Sequence, residues 1–263
     1  MAAQGGNWDD LAVRLGSAVA MVIGGGAAIV AGGLWFMVLS AIVAGLMVWE
    51  LCRMLFPMSG PFAVQMAILS AFAVMAALVL PGFYTAPILI APSLVAVSRV
   101  SARRVVLFAY MTGVLFAGFG LAYFRDTLGI VWLLWLVAVV VGTDILGYFA
   151  GRLMGGPKFW PRISPKKTWS GTVAGWIAAA IIGLVFGLTS GAGAGLAVLS
   201  VALSFASQMG DIAESAIKRR CQVKDSSRLI PGHGGVLDRF DGLLGAGLLM
   251  LVLQFIYLPV IGG

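Results

Sequence analysis

Apolar residues along this chain form long continuous stretches that few polar positions interrupt. Most stretches are about 20 residues long, which matches the hydrocarbon core of a bilayer, about 30 Å thick. Continuous stretches predict helices, whereas strands of a membrane barrel would alternate apolar and polar residues. We therefore predict about nine spanning helices: 11–31, 33–52, 61–80, 83–98, 105–124, 127–150, 170–189, 192–217 and 242–261. The fourth is short and contains Pro87 and Pro92, so we expect it to be tilted, broken or only partly inserted.

Composition supports lipid as the solvent of this chain. Of its 263 residues, 61% are hydrophobic and 10% are charged, whereas a soluble domain carries about 25% charged residues. The predicted fold class is therefore an all-α polytopic membrane protein. Asp9 and Asp10 precede a first apolar stretch that is longer than a signal-peptide core, so we expect a retained first helix. Cys52 and Cys221 lie near basic loops and imply neither a disulfide nor a cysteine metal site.

Basic residues are distributed unequally between the two sides of the predicted membrane path. Of 17 lysines and arginines, only Arg125 falls on the side opposite the N-terminus. The positive-inside rule makes the basic side cytoplasmic. At Arg53 and in the 99–104 loop, topology and attraction to anionic head groups are enough to explain the charges. We expect no nucleic-acid binding, because the chain has no aromatic-interleaved basic domain outside the membrane.

The first segment with candidate chemistry is 144–152, at the cytoplasmic end of the sixth predicted helix. Asp144 and Tyr148 are four residues apart and share a helix face. Gly147 and Gly151 form a small-x-x-x-small pair, which is typical of close helix packing. A carboxylate within an apolar helix is costly unless it faces a polar cavity, so we expect Asp144 to face a polar site.

The second segment, 164–171, precedes the seventh predicted helix and reads Ser-Pro-Lys-Lys-Thr-Trp-Ser-Gly. Thr168 or Ser170 could cap that helix and leave free backbone N–H groups beside the ammonium groups of Lys166 and Lys167. This combination suits phosphate oxygens. The alternative interpretation is a pair of juxtamembrane lysines beside an interfacial tryptophan.

Polar residues of the eighth predicted helix recur at intervals of three or four. They are Ser204, Gln208, Asp211, Ser215 and Lys218, with Glu214 beside them. This spacing places them in one stripe on an otherwise apolar helix. The stripe must face protein or water, because lipid cannot satisfy its polar groups. We expect it to form one wall of a cytoplasm-facing polar funnel.

The third segment follows that helix and ends in 231–241, which reads Pro-Gly-His-Gly-Gly-Val-Leu-Asp-Arg-Phe-Asp. Glycines on both sides of His233 permit a tight turn and a close approach of backbone to a ligand. Asp238 and Asp241 are three residues apart where the ninth helix begins, so we expect their carboxylates to point the same way. Oxygen ligands of this type suit Mg²⁺.

Several other functions are disfavoured by the sequence. His233 is the single histidine, which excludes a multi-histidine zinc site and leaves it either structural or catalytic. No G-x-S-x-G elbow or P-loop is present, which argues against a serine hydrolase or a P-loop ATPase. A transporter would place its buried acids deep and in repeated halves, whereas here the polar residues gather at one interface. Carboxylates, cations and glycines together favour metal-assisted phosphoryl chemistry.

At these residues the chain resembles the phosphatidate cytidylyltransferase (CDP-diacylglycerol synthase) family. The run 215–241 matches the family signature: S-x-hydrophobic-K-R, four residues, K-D, then P-x-H-G-G-hydrophobic-x-D-R-hydrophobic-D. The family segments S-P-K-K-T-W and G-D-x-x-E-S are present at 164–169 and 210–215. Two positions depart from the pattern. Ile145 follows Asp144 where the family usually has a hydroxyl residue, and Ser170 replaces a frequent glutamate.

The resemblance implies transfer of CMP from CTP to phosphatidate with Mg²⁺, and it leaves open a second, monovalent cation. The metal ligands it implies are Asp211 and Asp238, with Asp241 and Asp144 either as additional ligands or as residues that support the ligands. The catalytic residues it implies are Asp211, Asp238, Lys218, Lys224 and Arg239. The substrate-binding residues it implies are Ser164, Lys166, Lys167, Thr168, Arg219, His233, Gly234 and Gly235.

The same resemblance suggests how the chain is organised. Residues 1–126 would be a scaffold of helices with contacts for a homodimer, and residues 127–263 would be the catalytic region containing the signature at 215–241. The expected partners are CTP, phosphatidate and membrane lipids. The expected location is a bacterial-type inner (plasma) membrane, with the N-terminus and the active site cytoplasmic. The alternative is a related CTP-using enzyme with another lipid acceptor, such as an archaeal-type CDP-lipid synthase or a polyprenol or phytol kinase.

Overall fold

The computed structural model describes residues 6–261, with side chains described for residues 12–254. Within that range the chain is almost entirely helical. The helices are α1 (Gly6–Ala31), α2 (Gly33–Leu55), α3 (Gly60–Val79), α4 (Thr85–Ser98), α5 (Arg104–Leu128), α6 (Ile130–Met154), α7 (Trp169–Ser190), α8 (Gly195–Arg220) and α9 (Leu237–Ile261). A 3₁₀ turn, Gly82–Tyr84, precedes α4, and two short strands, β1 (Lys158–Trp160) and β2 (Ser164–Thr168), precede α7.

Seven helices of the described part of the chain are long and apolar enough to cross a membrane: α1, α2, α3, α5, α6, α7 and α8. The prediction of an all-α polytopic membrane protein is thereby confirmed. The segment Gly82–Ser98 is apolar but shorter than these helices. Its helix α4 begins just before Pro87 and keeps Pro92 in its interior. Proline removes a backbone donor, and the expectation that this segment is tilted, broken or only partly inserted stays a prediction.

The chain divides into two compact units, and each combines segments that are distant in sequence. The first unit contains Met1–Ala122 and Val223–Arg239, and the second contains Tyr123–Gln222 and Phe240–Gly263. This division differs from the predicted boundary between residues 126 and 127. The segment Val223–Arg239, which carries most of the signature, belongs with the N-terminal helices because its contacts are with them.

In the first unit, α2 packs against α3, and α3 packs against α4. A Cβ atom on Gly45 of α2 would lie 2.9 Å from the carbonyl oxygen of Ala67, so this position needs glycine for the helices to approach. Ser40 of α2 donates a hydrogen bond to the carbonyl oxygen of Gly118 in α5, at 2.6 Å. The C-terminal half of α2 is buried around Leu51.

In the second unit, α6, α7 and α8 pack against one another. A Cβ on Gly147 of α6 would lie 3.1 Å from the carbonyl oxygen of Gly171 in α7, which confirms the predicted close packing. The indole of Trp135 donates to the hydroxyl of Ser200 at 3.0 Å. The hydroxyl of Thr143 donates to that of Ser204 at 2.8 Å. Buried polar pairs of this kind connect membrane helices where lipid could not satisfy the groups.

The strands β1 and β2 form an antiparallel hairpin between α6 and α7. Lys158 is paired with Thr168 and Trp160 with Ser164, with an irregularity between them. This hairpin was not predicted from the sequence. Its strands are short and basic, so they lack the alternating apolar pattern that indicates a strand.

Candidate active site

A cluster of carboxylates in the second unit depends on a close crossing of α8 and α9. A Cβ on Gly210 of α8 would collide with the carbonyl oxygen of Asp241. This contact brings Asp211 and Glu214 beside Asp241, and their ligand atoms all lie within 4.8 Å of one another. Glu214 is fully buried, while Asp211 and Asp241 are partly exposed. We call these three residues the acidic cluster.

Two lysines neutralise part of the acidic cluster. Lys167 of β2 forms an ion pair with Asp211. On α8, the Nζ of Lys218 lies 2.5 Å from Oε2 of Glu214. Three carboxylates therefore lie beside two ammonium groups, which lowers the cost of burying the acids. The hydroxyl of Ser215 also donates to Oδ1 of Asp211 at 3.2 Å.

The start of α7 is capped as the sequence predicted. The Oγ1 of Thr168 accepts a hydrogen bond from the backbone N–H of Gly171 at 3.2 Å, so Thr168 is the capping residue. Ser170 contacts Thr168 at 3.0 Å and donates to the carbonyl oxygen of Gly155. Lys166 is exposed and Lys167 is half-buried. Successive side chains of a strand point to opposite faces, so only Lys167 reaches Asp211.

The N-terminal part of the polar stripe on α8 faces protein, as predicted. The side-chain oxygen of Gln208 accepts from the indole of Trp176 at 3.0 Å, and its amide donates to the carbonyl oxygen of Thr172 at 3.3 Å. Asp144 of α6 is exposed. Its Oδ2 lies 3.8 Å from the position of a Cβ on Gly242, near the start of α9. Asp144 is thus close to the acidic cluster, and its role as a ligand stays a prediction.

In the first unit, the signature loop 226–237 is held by Glu50 of α2. Glu50 is fully buried. Its Oε1 accepts hydrogen bonds from the hydroxyl of Ser227 at 2.5 Å and from the backbone N–H of Val236 at 2.9 Å. Its Oε2 accepts from the hydroxyl of Ser226 at 3.1 Å and from the backbone N–H of Leu237 at 2.6 Å. The carboxylate therefore caps the N-terminus of α9 from another helix.

Asp238 belongs to the same part of the first unit. Its Oδ2 accepts hydrogen bonds from the backbone N–H and the hydroxyl of Ser226 and from the backbone N–H of Gly235, each at 2.8 Å. Three donors on one oxygen fix the carboxylate in place. The predicted ligand role of Asp238 is not tested by these contacts.

The turn around His233 is tight, as its glycines predicted. Gly232 and Gly234 have φ angles of +74° and +85°, which glycine adopts readily. The Nδ1 of His233 lies 2.8 Å from the hydroxyl of Ser17 in α1. A Cβ on Gly235 would lie 2.5 Å from Oε1 of Glu50, so this glycine approaches a protein carboxylate. The glycines at this turn had predicted a close approach of the backbone to a ligand.

The other predicted cationic residues have varied surroundings. In the first unit, Lys224 is exposed, and the Nε of Arg239 donates to the carbonyl oxygen of His233 at 3.0 Å. In the second unit, the Nε of Arg219 donates to the carbonyl oxygen of Ile163 at 3.4 Å, next to Ser164 in β2. Their roles toward substrate stay predictions.

Two acidic residues, Glu214 and Glu50, had been predicted neither as metal ligands nor as catalytic residues. Glu214 lies three residues after Asp211, a spacing that already placed both carboxylates on one face of α8. Glu50 had only the general signal of an acid within an apolar helix. Its partners lie 176 to 187 residues away along the chain, so no local pattern could have identified them.

The fold and these contacts define a polytopic membrane protein whose helix ends carry carboxylates and ammonium groups suited to phosphate chemistry. A sequence model of the Cytidylyltransferase family matches residues 12–257. The chain belongs to the cytidylyltransferase family.

Similar proteins carry the name phosphatidate cytidylyltransferase. The chain is 47% identical over 152 residues to the one from Brucella abortus, covering 55% of this chain and 56% of that protein. It is 37% identical over 139 residues to the one from Staphylococcus epidermidis, covering 51% and 54%. It is 35% identical over 135 residues to the one from Bacillus subtilis, covering 50% and 48%. The chain spans about half the length of the curated relatives it matches.

Proposed function

We propose that this chain transfers CMP from CTP to phosphatidate, giving CDP-diacylglycerol and pyrophosphate. Family membership, the names of the similar proteins and the signature at 215–241 support this reaction. The observation that carries the proposal is the acidic cluster with its two lysines, Lys167 and Lys218. These groups match the needs of a reaction between a nucleoside triphosphate and a phosphate ester.

The proposed reaction needs no protein nucleophile. A phosphate oxygen of phosphatidate attacks the α-phosphorus of CTP, and the bond from that phosphorus to the oxygen that bridges it to the β-phosphorus breaks as pyrophosphate leaves. The attacking oxygen is already anionic, so catalysis depends on positioning and on neutralising charge. Lys167 and Lys218 form ion pairs with members of the acidic cluster, and they would stabilise the triphosphate and the negative charge on the leaving group.

The acidic cluster fits Mg²⁺. Asp211, Glu214 and Asp241 offer only oxygen ligands, and those atoms lie close enough together to share one ion. Asp211 and Asp241 are partly exposed, so an ion can reach them. When bound, Mg²⁺ supplies positive charge at the transferring phosphate. The family resemblance adds Asp238 and Asp144 as ligands, and these two roles stay predictions, as does a monovalent cation.

We place the reaction at the cytoplasmic face of a bacterial-type inner membrane. This side holds all the basic residues except Arg125 in the predicted path. CTP is soluble and phosphatidate is confined to the leaflet, so a site at this boundary meets both. A homodimer stays a prediction from family resemblance.

The test uses the purified full chain in detergent with phosphatidate, Mg²⁺ and CTP labelled at the α-phosphate. We expect the label to appear in a lipid product that carries CMP. Asp211→Asn should abolish product formation while the protein stays folded, because it removes a carboxylate from the acidic cluster.

A parallel reaction with CTP labelled at the γ-phosphate, offered phosphatidate, polyprenol or phytol, separates the alternatives. Lipid labelled only from the γ-position would identify a kinase and overturn the proposal. No labelled lipid from folded protein with any acceptor would also overturn it.

A further inference from the structure

The buried carboxylate of Glu50 is at the centre of a hydrogen-bonded network in the first unit. It lies in α2, and all four donors that contact it come from the loop 226–237. Two of these donors are backbone N–H groups at the start of α9, at Val236 and Leu237. A buried carboxylate with four donors, two of them at a helix N-terminus, holds this loop in one conformation.

Ser226 connects Glu50 to Asp238. Its single hydroxyl lies 3.1 Å from Oε2 of Glu50 and 2.8 Å from Oδ2 of Asp238, so its one proton is located between two carboxylates. The backbone N–H groups of Ser226 and Gly235 also bond Asp238. Gly235 packs directly against Glu50. Two routes therefore lead from Glu50 to Asp238, through Ser226 and through the backbone at 235–237.

We propose that Glu50 is a positioning residue that orients the carboxylate of Asp238 for the reaction. It acts through the loop 226–237 and does not itself touch substrate. The proposal rests on the proposed cytidylyl transfer, in which Asp238 is a functional residue. It gives an N-terminal helix a positioning role in the site, beyond that of a membrane scaffold.

Glu50→Gln tests the contacts with little change of shape. Each carboxylate oxygen of Glu50 faces one serine hydroxyl and one backbone N–H group. A serine can reverse its hydroxyl and accept from the new amide, whereas a backbone N–H cannot. The variant therefore loses the bond to either Val236 or Leu237, whichever way the amide is oriented.

The first measurement is hydrogen–deuterium exchange of peptides covering 226–240, in protein without CTP or metal. We expect exchange at the start of α9 to be faster by about tenfold or more in Glu50→Gln, the size of effect for a lost hydrogen bond to a charged group. Ser70→Ala is the control. Ser70 is fully buried in the same unit and its hydroxyl has no hydrogen-bond partner, so this variant should exchange like wild type.

The second measurement compares two neighbouring serines that both donate to Glu50. Only Ser226 also bonds Asp238. If Glu50 acts through Asp238, Ser226→Ala should lower kcat about tenfold, as Glu50→Gln does, and Ser227→Ala should lower it about threefold or less. KM for phosphatidate should change little in all three variants, because the proposal has none of these three side chains contacting the lipid. A general loss of folding would instead lower the yield of active protein, and the kcat values of the variants would not follow this order.

The outcomes separate the two proposals. Wild-type exchange in folded Glu50→Gln, or equal kcat in Ser226→Ala and Ser227→Ala, would overturn the role of Glu50. If the wild-type protein forms no CDP-lipid while the exchange contrast holds, the proposed function has failed and Glu50 is a structural cap. If Glu50→Gln does not fold, the comparison of the two serine variants decides.

Discussion

Two neighbouring lysines show how strand geometry separates residues that look equivalent in sequence. Lys166 and Lys167 are adjacent in β2, but only Lys167 forms an ion pair with Asp211. Lys166 is exposed because consecutive strand residues point to opposite faces. Both lysines were predicted from the sequence to bind phosphate, since the hairpin that separates their side chains was not predicted.

This difference leads to a prediction for a matched pair of variants. Lys167→Gln should lower kcat by about a hundredfold, because it removes a cation from the buried edge of the acidic cluster. Lys166→Gln should lower it by about threefold or less, because an exposed charge is screened by solvent. Steady-state kinetics with CTP and phosphatidate in detergent measure both. Equal losses in the two variants would contradict the assignment.

The crossing of α8 and α9 shows how two elements create the acidic cluster. Gly210 contacts the backbone of Asp241, and Gly245 contacts the backbone of Ala206. Without side chains at these two positions, the helix backbones touch, and Asp211 comes within reach of Asp241. The sequence placed each carboxylate on its own helix face. The distance between the faces depends on the two glycines.

We expect Gly210→Ala to push these helices apart. The added methyl group should destabilise the protein by about 1–3 kcal/mol and lower kcat about tenfold or more. Gly195→Ala is the control in the same helix, since a Cβ there meets nothing within 4 Å. Thermal unfolding and activity in detergent measure both effects. A Gly210→Ala protein as active as Gly195→Ala would show that the close crossing is not needed.

At the scale of the whole molecule, the chain is organised by its apolar helices and by the side on which its charges lie. The helix α7 has 22 residues, about 33 Å at 1.5 Å per residue, which is enough to cross the bilayer. The basic hairpin precedes it, and the uncharged segment 191–194 follows it. The positive-inside rule therefore predicts opposite sides for the two ends of α7.

Cysteine labelling tests this orientation. In a background carrying Cys52→Ala and Cys221→Ala, we introduce Lys158→Cys before α7 or Ala192→Cys after it, both at exposed positions. A membrane-impermeant maleimide added to intact spheroplasts should label Ala192→Cys. It should label Lys158→Cys only after permeabilisation. The reverse pattern would place the hairpin outside the cell and contradict a cytoplasmic site.

The helices were predictable because the length and hydrophobicity of each apolar stretch are enough to predict that it lies in lipid. The predicted sixth and eighth spans, 127–150 and 192–217, correspond to α6 and α8. Both helices continue three or four residues further, through the basic residues Arg152 and Arg220. A span predicted from hydropathy ends where the apolar residues end, whereas the helix itself continues as long as its backbone hydrogen bonds do.

The sequence by itself determined the membrane class, the side preferred by the basic residues and most members of the candidate site. These properties follow from local composition and from helical spacing. Only the tertiary structure decided which acids meet: Asp241 of α9 joins Asp211 and Glu214 of α8, and Glu50 holds the loop that precedes Asp238. These contacts connect segments far apart in the chain. They depend on glycines that let two helix backbones approach closely and on buried hydrogen-bond donors, and no local sequence pattern predicts either.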